Sequence, residues 1–450
     1  MSTVSQDGDA IVRKCLDELR KDVDDGCLSQ SRREEVLGQL KVLGRDVNHV
    51  KSRYDAEALN VLGHYGFGRY PRSTCREALR CIANALLLIP QCQNYFAELG
   101  FLPKAAEDLK LQEDEDEFLL SRILFLMTYN KPTDFEKVAD KYDIPGSIMQ
   151  NVNRHARTAD QLAMNTIATA ALSDSLKLLF NVIHAFPKYS SVFRPIVPDI
   201  LKVISATPIP KPPLQPPLVW KLNALASVDL AKRDGLEGDQ EVSEMLAVLP
   251  RLVEILDSSL RGYRPTQLDT SLIPLITILR SMIATGDDSL KVQLKEDLLP
   301  KDSERDLPLG QTSTLASRLL RLTTQPGLVN LPEAVSALLF ELSDKDASAF
   351  VKNVGYGYAA GYLMTHKIPI PEDIQRPSSS RGDVPFNPIT GQRLDREPVV
   401  DMPEMSQEEK EREAERLFVL FERLRATGVV DVQNPVHQAQ QQGRFEEVDD

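Results

Sequence analysis

The chain has 450 residues, 42% of them hydrophobic, 26% charged and 6% aromatic, which is enough apolar material for a large core and too much for a disordered polymer. Its 53 Lys and Arg against 66 Asp and Glu leave a formal charge of −13. That argues against a general nucleic-acid binder, because such proteins neutralise phosphates with a basic excess.

The N-terminal stretch MSTVSQDGDAIVRKCLDELRK mixes charges throughout and has no apolar h-region, so no secretory signal is expected. No later stretch approaches the ~18 to 20 apolar residues that span a bilayer. Cys15, Cys27, Cys75, Cys81 and Cys92 are an odd set, and no Asn-x-Ser/Thr sequon occurs. The expected setting is therefore reducing and cytoplasmic, with peripheral association at the cell cortex or plasma membrane left open.

From about residue 9 to 365 the pattern is amphipathic helix broken by Pro, Gly and acidic turns, as in 75–89, 115–129, 169–186, 272–285 and 331–343. Alternating runs of strand type are nearly absent, so helix must pack on helix. An internal repeat is visible. Asn84, Pro90 and Phe96 superpose on Asn181, Pro187 and Phe193 at one 97-residue offset.

A second regularity concerns polar donors. Lys41 with Arg45, Arg80 with Asn84, and Lys177 with Asn181 each stand four residues apart, and Arg122 occupies the equivalent place in the intervening unit. Positions 41, 80, 122 and 177 are separated by 39, 42 and 55 residues, bracketing the ~40 to 47 of armadillo or HEAT repeats. Residues i and i+4 share a helix face, and equivalent helices of a solenoid lie side by side. These donors then form a ladder along one surface, expected to be the concave one. For any single pair a solvated helix edge is the plainer reading. Two equivalent mid-helix Asn residues, however, are explained better by a contact than by helix propensity.

The run PIPKPPLQPP (208–217) carries six prolines and is expected to be a rigid extended connection between repeats. The five acids at 113–117 favour the start of a helix through its dipole and otherwise predict a solvated loop. After about residue 365 the composition turns rich in Pro, Ser and charge, the mark of a linker. Ser406 with Glu409 is a capping-box signature, and Ala414, Leu417, Phe418, Leu420, Phe421 and Leu424 make one apolar stripe. Such a short helix needs its stripe docked, on the solenoid or on a partner.

The expected fold is thus all-α. An armadillo/HEAT-like right-handed helical solenoid (1–365) is followed by an extended linker (366–403), one C-terminal amphipathic helix (404–426) and an acidic tail (427–450).

Enzyme constellations are missing from the sequence. The six histidines are scattered, without HExxH. Cys75, Cys81 and Cys92 lack zinc-ligand spacing and read as buried thiols. There is no G-x-S-x-G and no Walker loop, and GYGYAAG (355–361) reads as a packing corner. No enzyme activity, metal or cofactor is expected.

Three C-terminal segments, FVKNVGYGYAAGYL (350–363), FNPITG (386–391) and MPEMSQEEKEREAERLFVLFERL (402–424), together resemble the signature of the synembryn family. KVLGRDVN (41–48), ALRCIAN (78–84), RILFLMT (122–128) and SLKLLFN (175–181) resemble family segments further upstream. The resemblance implies an armadillo-like protein that acts as chaperone and guanine nucleotide exchange factor for heterotrimeric G-protein α subunits (Gα), monomeric by itself. It implies that the concave groove takes the Gα C-terminal helix through Lys41, Arg45, Arg80, Asn84, Arg122, Lys177 and Asn181. The C-terminal helix, with Leu417 and Phe421, would meet the nucleotide-binding domain. The pattern lapses at Glu341, where an acid replaces the amide. The alternative from another class is an armadillo-type adaptor that binds extended peptides in transport or cytoskeletal assembly.

Overall fold

Short local signals set the helix boundaries. The side chains of Ser29, Asp55, Asn165, Asp287 and Asp346 each accept from a first-turn N–H, which satisfies donors that helix geometry leaves without partners. Pro90, Pro265 and Pro332 sit in the first turn of their helices, where a missing N–H costs nothing.

The computed structural model describes residues 2–130, 134–230, 238–369 and 385–397, with parts of a helical stretch between 406 and 419. The helices are α1 (Ser2–Asp25), α2 (Gln30–Leu43), α3 (Val47–Val50), α4 (Ala56–Phe67), α5 (Arg72–Leu88), α6 (Pro90–Glu98), α7 (Phe101–Asp108) and α8 (Asp114–Met127). They continue as α9 (Phe135–Tyr142), α10 (Ile144–Arg157), α11 (Thr166–Ala185), α12 (Tyr189–Val192), α13 (Val197–Ala206), α14 (Leu218–Ser227) and α15 (Gly238–Gly262). The series ends with α16 (Pro265–Ser271), α17 (Ile273–Ala284), α18 (Asp288–Leu298), α19 (Leu315–Thr323), α20 (Leu331–Leu342), α21 (Ala347–Val354) and α22 (Tyr356–Thr365).

Among the described residues the only pairing of strand type is one isolated bridge, Phe386 with Arg393. The fold is an all-α helical solenoid. One row of helices, here called the inner row after the expected position of the donors, is regular: α2, α5, α8, α11, α14, α17 and α20 each pack on the next. The 97-residue offset therefore spans two repeats, from α5 to α11. The superposed Phe96 and Phe193 are both fully buried, each worth about 1.5–3 kcal/mol of apolar burial. Cys75, Cys81 and Cys92 lie in the core, and burial pushes the Cys92 thiol up to about 12.

Helix α11 is long and apolar enough to cross a membrane by length and composition, a feature that counting unbroken apolar runs overlooks. Within the solenoid 61% of its apolar window is buried, between α8 on one side and α14 on the other.

Close approach explains one helical glycine. A Cβ built at Gly63 in α4 would overlap the ring of Phe101, which stacks on Phe67 with centroids 5.6 Å apart. Gly63→Ala is expected to lower stability by about 1–3 kcal/mol through overpacking. Gly361 in α22 has open space around its would-be Cβ, so Gly361→Ala is expected to be neutral or stabilising by up to ~1 kcal/mol. Thermal melts of the two variants check this, and equal shifts would refute the packing argument.

The first compact unit runs to Asp395, beyond the boundary that composition placed near 365. Residues 385–395 belong to it because backbone groups hold them. Tyr356 and Gly357 donate to the carbonyls of Pro388 and Ile389 at 2.8 and 3.1 Å, and Leu309 donates to Thr390 at 2.9 Å. Arg305 donates to the carbonyls of Gly391 and Lys352 at 3.0 and 2.8 Å and lies 5.0 Å from the Phe386 ring centroid. Two of the sequence motifs, GYGYAAG and NPITG, are thus one contact. Gly355, at φ +82°, has Ile389 O 3.1 Å from where a Cβ would stand.

In the second unit Ser406 N donates to the Glu409 carboxylate at 3.0 Å, one half of the anticipated capping box. Leu417, Phe421, the acidic tail and much of the Pro/Ser-rich segment lie outside the described residues.

Candidate functional site: the polar ladder of the inner row

The inner row carries the candidate donors on successive helices: Lys41 on α2, Arg80 and Asn84 on α5, Arg122 on α8, Lys177 and Asn181 on α11. Arg45 is the exception. Helix α2 ends at Leu43, and the Gly44 N–H turns back to Leu40 and Val42 carbonyls. Arg45 is exposed in the following turn and shares no helix face with Lys41. The four-residue spacing is real, but the helix stops between its two members.

The amides join neighbouring repeats. Asn84 Nδ2 donates to the Lys41 carbonyl at 3.2 Å, from α5 to α2. Asn181 Nδ2 donates to Thr128 Oγ1 at 2.9 Å, from α11 to the end of α8. Both mid-helix Asn residues have contacts, as their poor propensity suggests, and those contacts lie within the solenoid.

The cations are held by acids. Glu77 receives Lys41 Nζ at 2.7 Å and Arg80 at 2.9 Å, and Glu115 receives Arg80 at 3.2 Å. Asp174 receives Lys177 at 2.8 Å and Arg122 at 2.9 Å. Aromatic faces support two of them: Arg122 lies 4.3 Å from the Phe118 centroid and Lys177 Nζ 4.7 Å from that of Trp220. Further along, Arg280 of α17 grips Glu341 of α20 through both carboxylate oxygens, at 2.7 and 3.0 Å.

A ladder of donors alone is therefore corrected to alternating cations and carboxylates. The sequence held the signal. Glu77 and Asp174 stand three residues before Arg80 and Lys177, at the same 97-residue offset as the asparagines, so the acid belongs to the repeat. Cross-helix partners such as Glu115 and Arg280 leave no such trace, because sequence spacing does not encode which helix lies alongside.

The acids of 113–117 start a helix as expected, but only Glu113 stays outside it in solvent. Asp114–Glu117 form the first turn of α8, and Asp116 and Glu117 are buried. Arg76 of α5 donates to both oxygens of Asp116 at 2.9 Å. Glu117 accepts from Arg154, from His155 at 2.8 Å and from Ser175 at 2.6 Å. Asp114, Glu117 and His155 offer ligand atoms within 4.8 Å of one another. The Arg154 guanidinium, however, donates to both carboxylates and stands where a cation would.

A row of ion pairs and aromatic faces along successive helices of a solenoid defines a helical-repeat protein. Comparison with known proteins narrows the class. The family described as guanine nucleotide exchange factor synembryn matches residues 36–444, and the chain belongs to that family. It is similar to chaperone Ric-8A of Macaca fascicularis, 24% identical over 471 aligned residues that cover 93% of this chain and 86% of the relative. It is also 33% identical to a synembryn-like chaperone of Schizosaccharomyces pombe over 187 residues, 38% of this chain and 35% of that one.

Proposed function

We propose that this protein is a chaperone and guanine nucleotide exchange factor for heterotrimeric G-protein α subunits, acting without covalent chemistry. Family membership across residues 36–444 carries the reading, and the inner-row ladder supplies a surface of the right chemistry. The C-terminal helix of Gα ends in unpaired carbonyls and a carboxylate, all acceptors. Arg80, Arg122 and Lys177 are oriented by Glu77, Glu115 and Asp174, and the N–H groups those acids leave over can donate to the incoming helix end. Lys41, Asn84 and Asn181 hold neighbouring helices in register, while Arg45 adds charge at the rim. The C-terminal helix, with Leu417 and Phe421, is assigned to the nucleotide-binding domain.

Exchange follows from linkage. A protein that binds nucleotide-free Gα more tightly than the GDP-bound form must weaken GDP by the same factor, and GTP must expel it. A thousandfold loosening of GDP needs roughly 4 kcal/mol of differential binding, within the range of a few desolvated charged contacts. The protein would act as a monomer in the cytoplasm and reach the membrane through Gα.

Fluorescent GDP release from purified Gα tests the reading. Accelerated release and a nucleotide-free complex on gel filtration are expected; neither would occur if the assignment is wrong. A peptide-binding adaptor would keep its segment when GTP is added to a preformed complex, whereas an exchange factor would release Gα.

A further inference from the structure

The proline run between α13 and α14 borders a partly open cavity of about 380 Å3. Pro208, Pro210, Pro216 and Pro217 line it together with Thr166, the first residue of α11, and Lys221 of α14. Lys221 is 2% exposed, and among the described residues it has no hydrogen-bond or ion-pair partner. Burial lowers its ammonium to about 8, so it is mostly protonated at neutral pH. A cation with so little exposure and no protein partner gains from an anion placed beside it.

Apart from the Thr166 hydroxyl, the remaining side chains offer little to a polar ligand. Proline has no N–H to donate. The lining hydroxyls of Thr169 and Thr207 already donate to the carbonyls of Leu162 and Val203. The Thr207 carbonyl, at the C-terminal end of α13, is taken by Arg251 at 2.8 Å. Lys221 is the one charged residue among those lining the cavity, and the first turn of α11 adds the positive end of a 20-residue helix. The cavity thus combines an apolar body with one cationic point, within the size range of small-molecule sites.

We propose that this cavity binds a small amphiphile bearing a single carboxylate, its head group on Lys221 Nζ and its apolar body between the prolines. At ~30 Å3 for each water-sized group the space holds about a dozen non-hydrogen atoms, the size of a medium-chain carboxylate such as decanoate. The two inner-row helices that flank the head group, α11 and α14, carry Lys177 and Trp220 of the ladder, so occupancy would be felt where that pair meets.

Calorimetric titration of the full chain with decanoate below its micellar concentration provides the test, with decanol as the neutral control. Saturable one-to-one binding of decanoate is expected, weakened at least tenfold by Lys221→Met, with decanol affinity unchanged. Ala206→Phe, which places a ring in the cavity, is expected to weaken binding of both. On the unaltered protein, decanoate is expected to shield Lys221 from acetylation, read by peptide mass spectrometry, while exposed lysines react as before. Absence of saturable binding, equal decanoate affinity in Lys221→Met, or unshielded Lys221 would each overturn the proposal.

Discussion

Glu117→Ala is expected to destabilise the protein by about 3–5 kcal/mol, the usual consequence of removing one partner from a buried ionic cluster. Glu117 is fully buried and receives Arg154, His155 and Ser175. It joins the start of α8 to α10 and α11, three helices of adjacent repeats. Alanine would leave His155, 1% exposed, without its carboxylate, and Arg154 with Asp114 as its one remaining acid. Glu113→Ala is the matched control: that carboxylate pairs with Arg76 but is 66% exposed, so its loss should stay below about 1 kcal/mol. Thermal or urea midpoints followed by helical circular dichroism distinguish the two, and equal shifts would show that the buried cluster does not hold the repeats together.

The second large effect concerns the ladder. Arg80→Gln combined with Lys177→Gln is expected to weaken binding to nucleotide-free Gα by at least ~100-fold, from two lost charge-assisted contacts of about 1.5–3 kcal/mol each. The pair is chosen so that no acid loses every partner. Glu77 retains Lys41, Glu115 retains Arg76 at 2.9 Å, and Asp174 retains Arg122. Folding should therefore survive, and unchanged helical circular dichroism with an unchanged melting midpoint is part of the expected result. Replacing Asn84 instead would remove the hydrogen bond between α5 and α2 and confuse scaffold with surface. Affinity within about threefold of the original, on an intact fold, would remove these residues from the proposed Gα contact. Because the contacts are ionic, salt should weaken the original protein more than the double variant.

The particular residues show how far spacing alone reaches. Asn84 and Asn181 are legible because a repeat places them at one offset and helix propensity disfavours them, and both prove to bridge helices. Arg45 departs from the pattern because periodicity continues across Gly44 while the helix does not. The acids of 113–117 looked like solvent-facing charge, yet Arg76 and Arg154, far off in sequence, make Asp116 and Glu117 interior groups. NPITG reads as linker by its Pro content and is nevertheless held by the α22 amide groups and by Arg305. Lys221 sits in a short apolar helix with nothing in the sequence to mark it, since its isolation depends on which residues surround it.

The sequence by itself determined the all-helical class, the repeat and the family motifs, because the 3.6-residue period, caps, prolines and recurrent residues are local properties that survive without coordinates. Only the tertiary structure decided which charges are paired, that the donor ladder contains its own acids, that two distant motifs form one contact, and that one lysine faces an apolar cavity alone. Those outcomes depend on which helix lies beside which. Burial and the cross-helix pairs are set there by groups 35 to 61 residues apart, roughly one solenoid repeat.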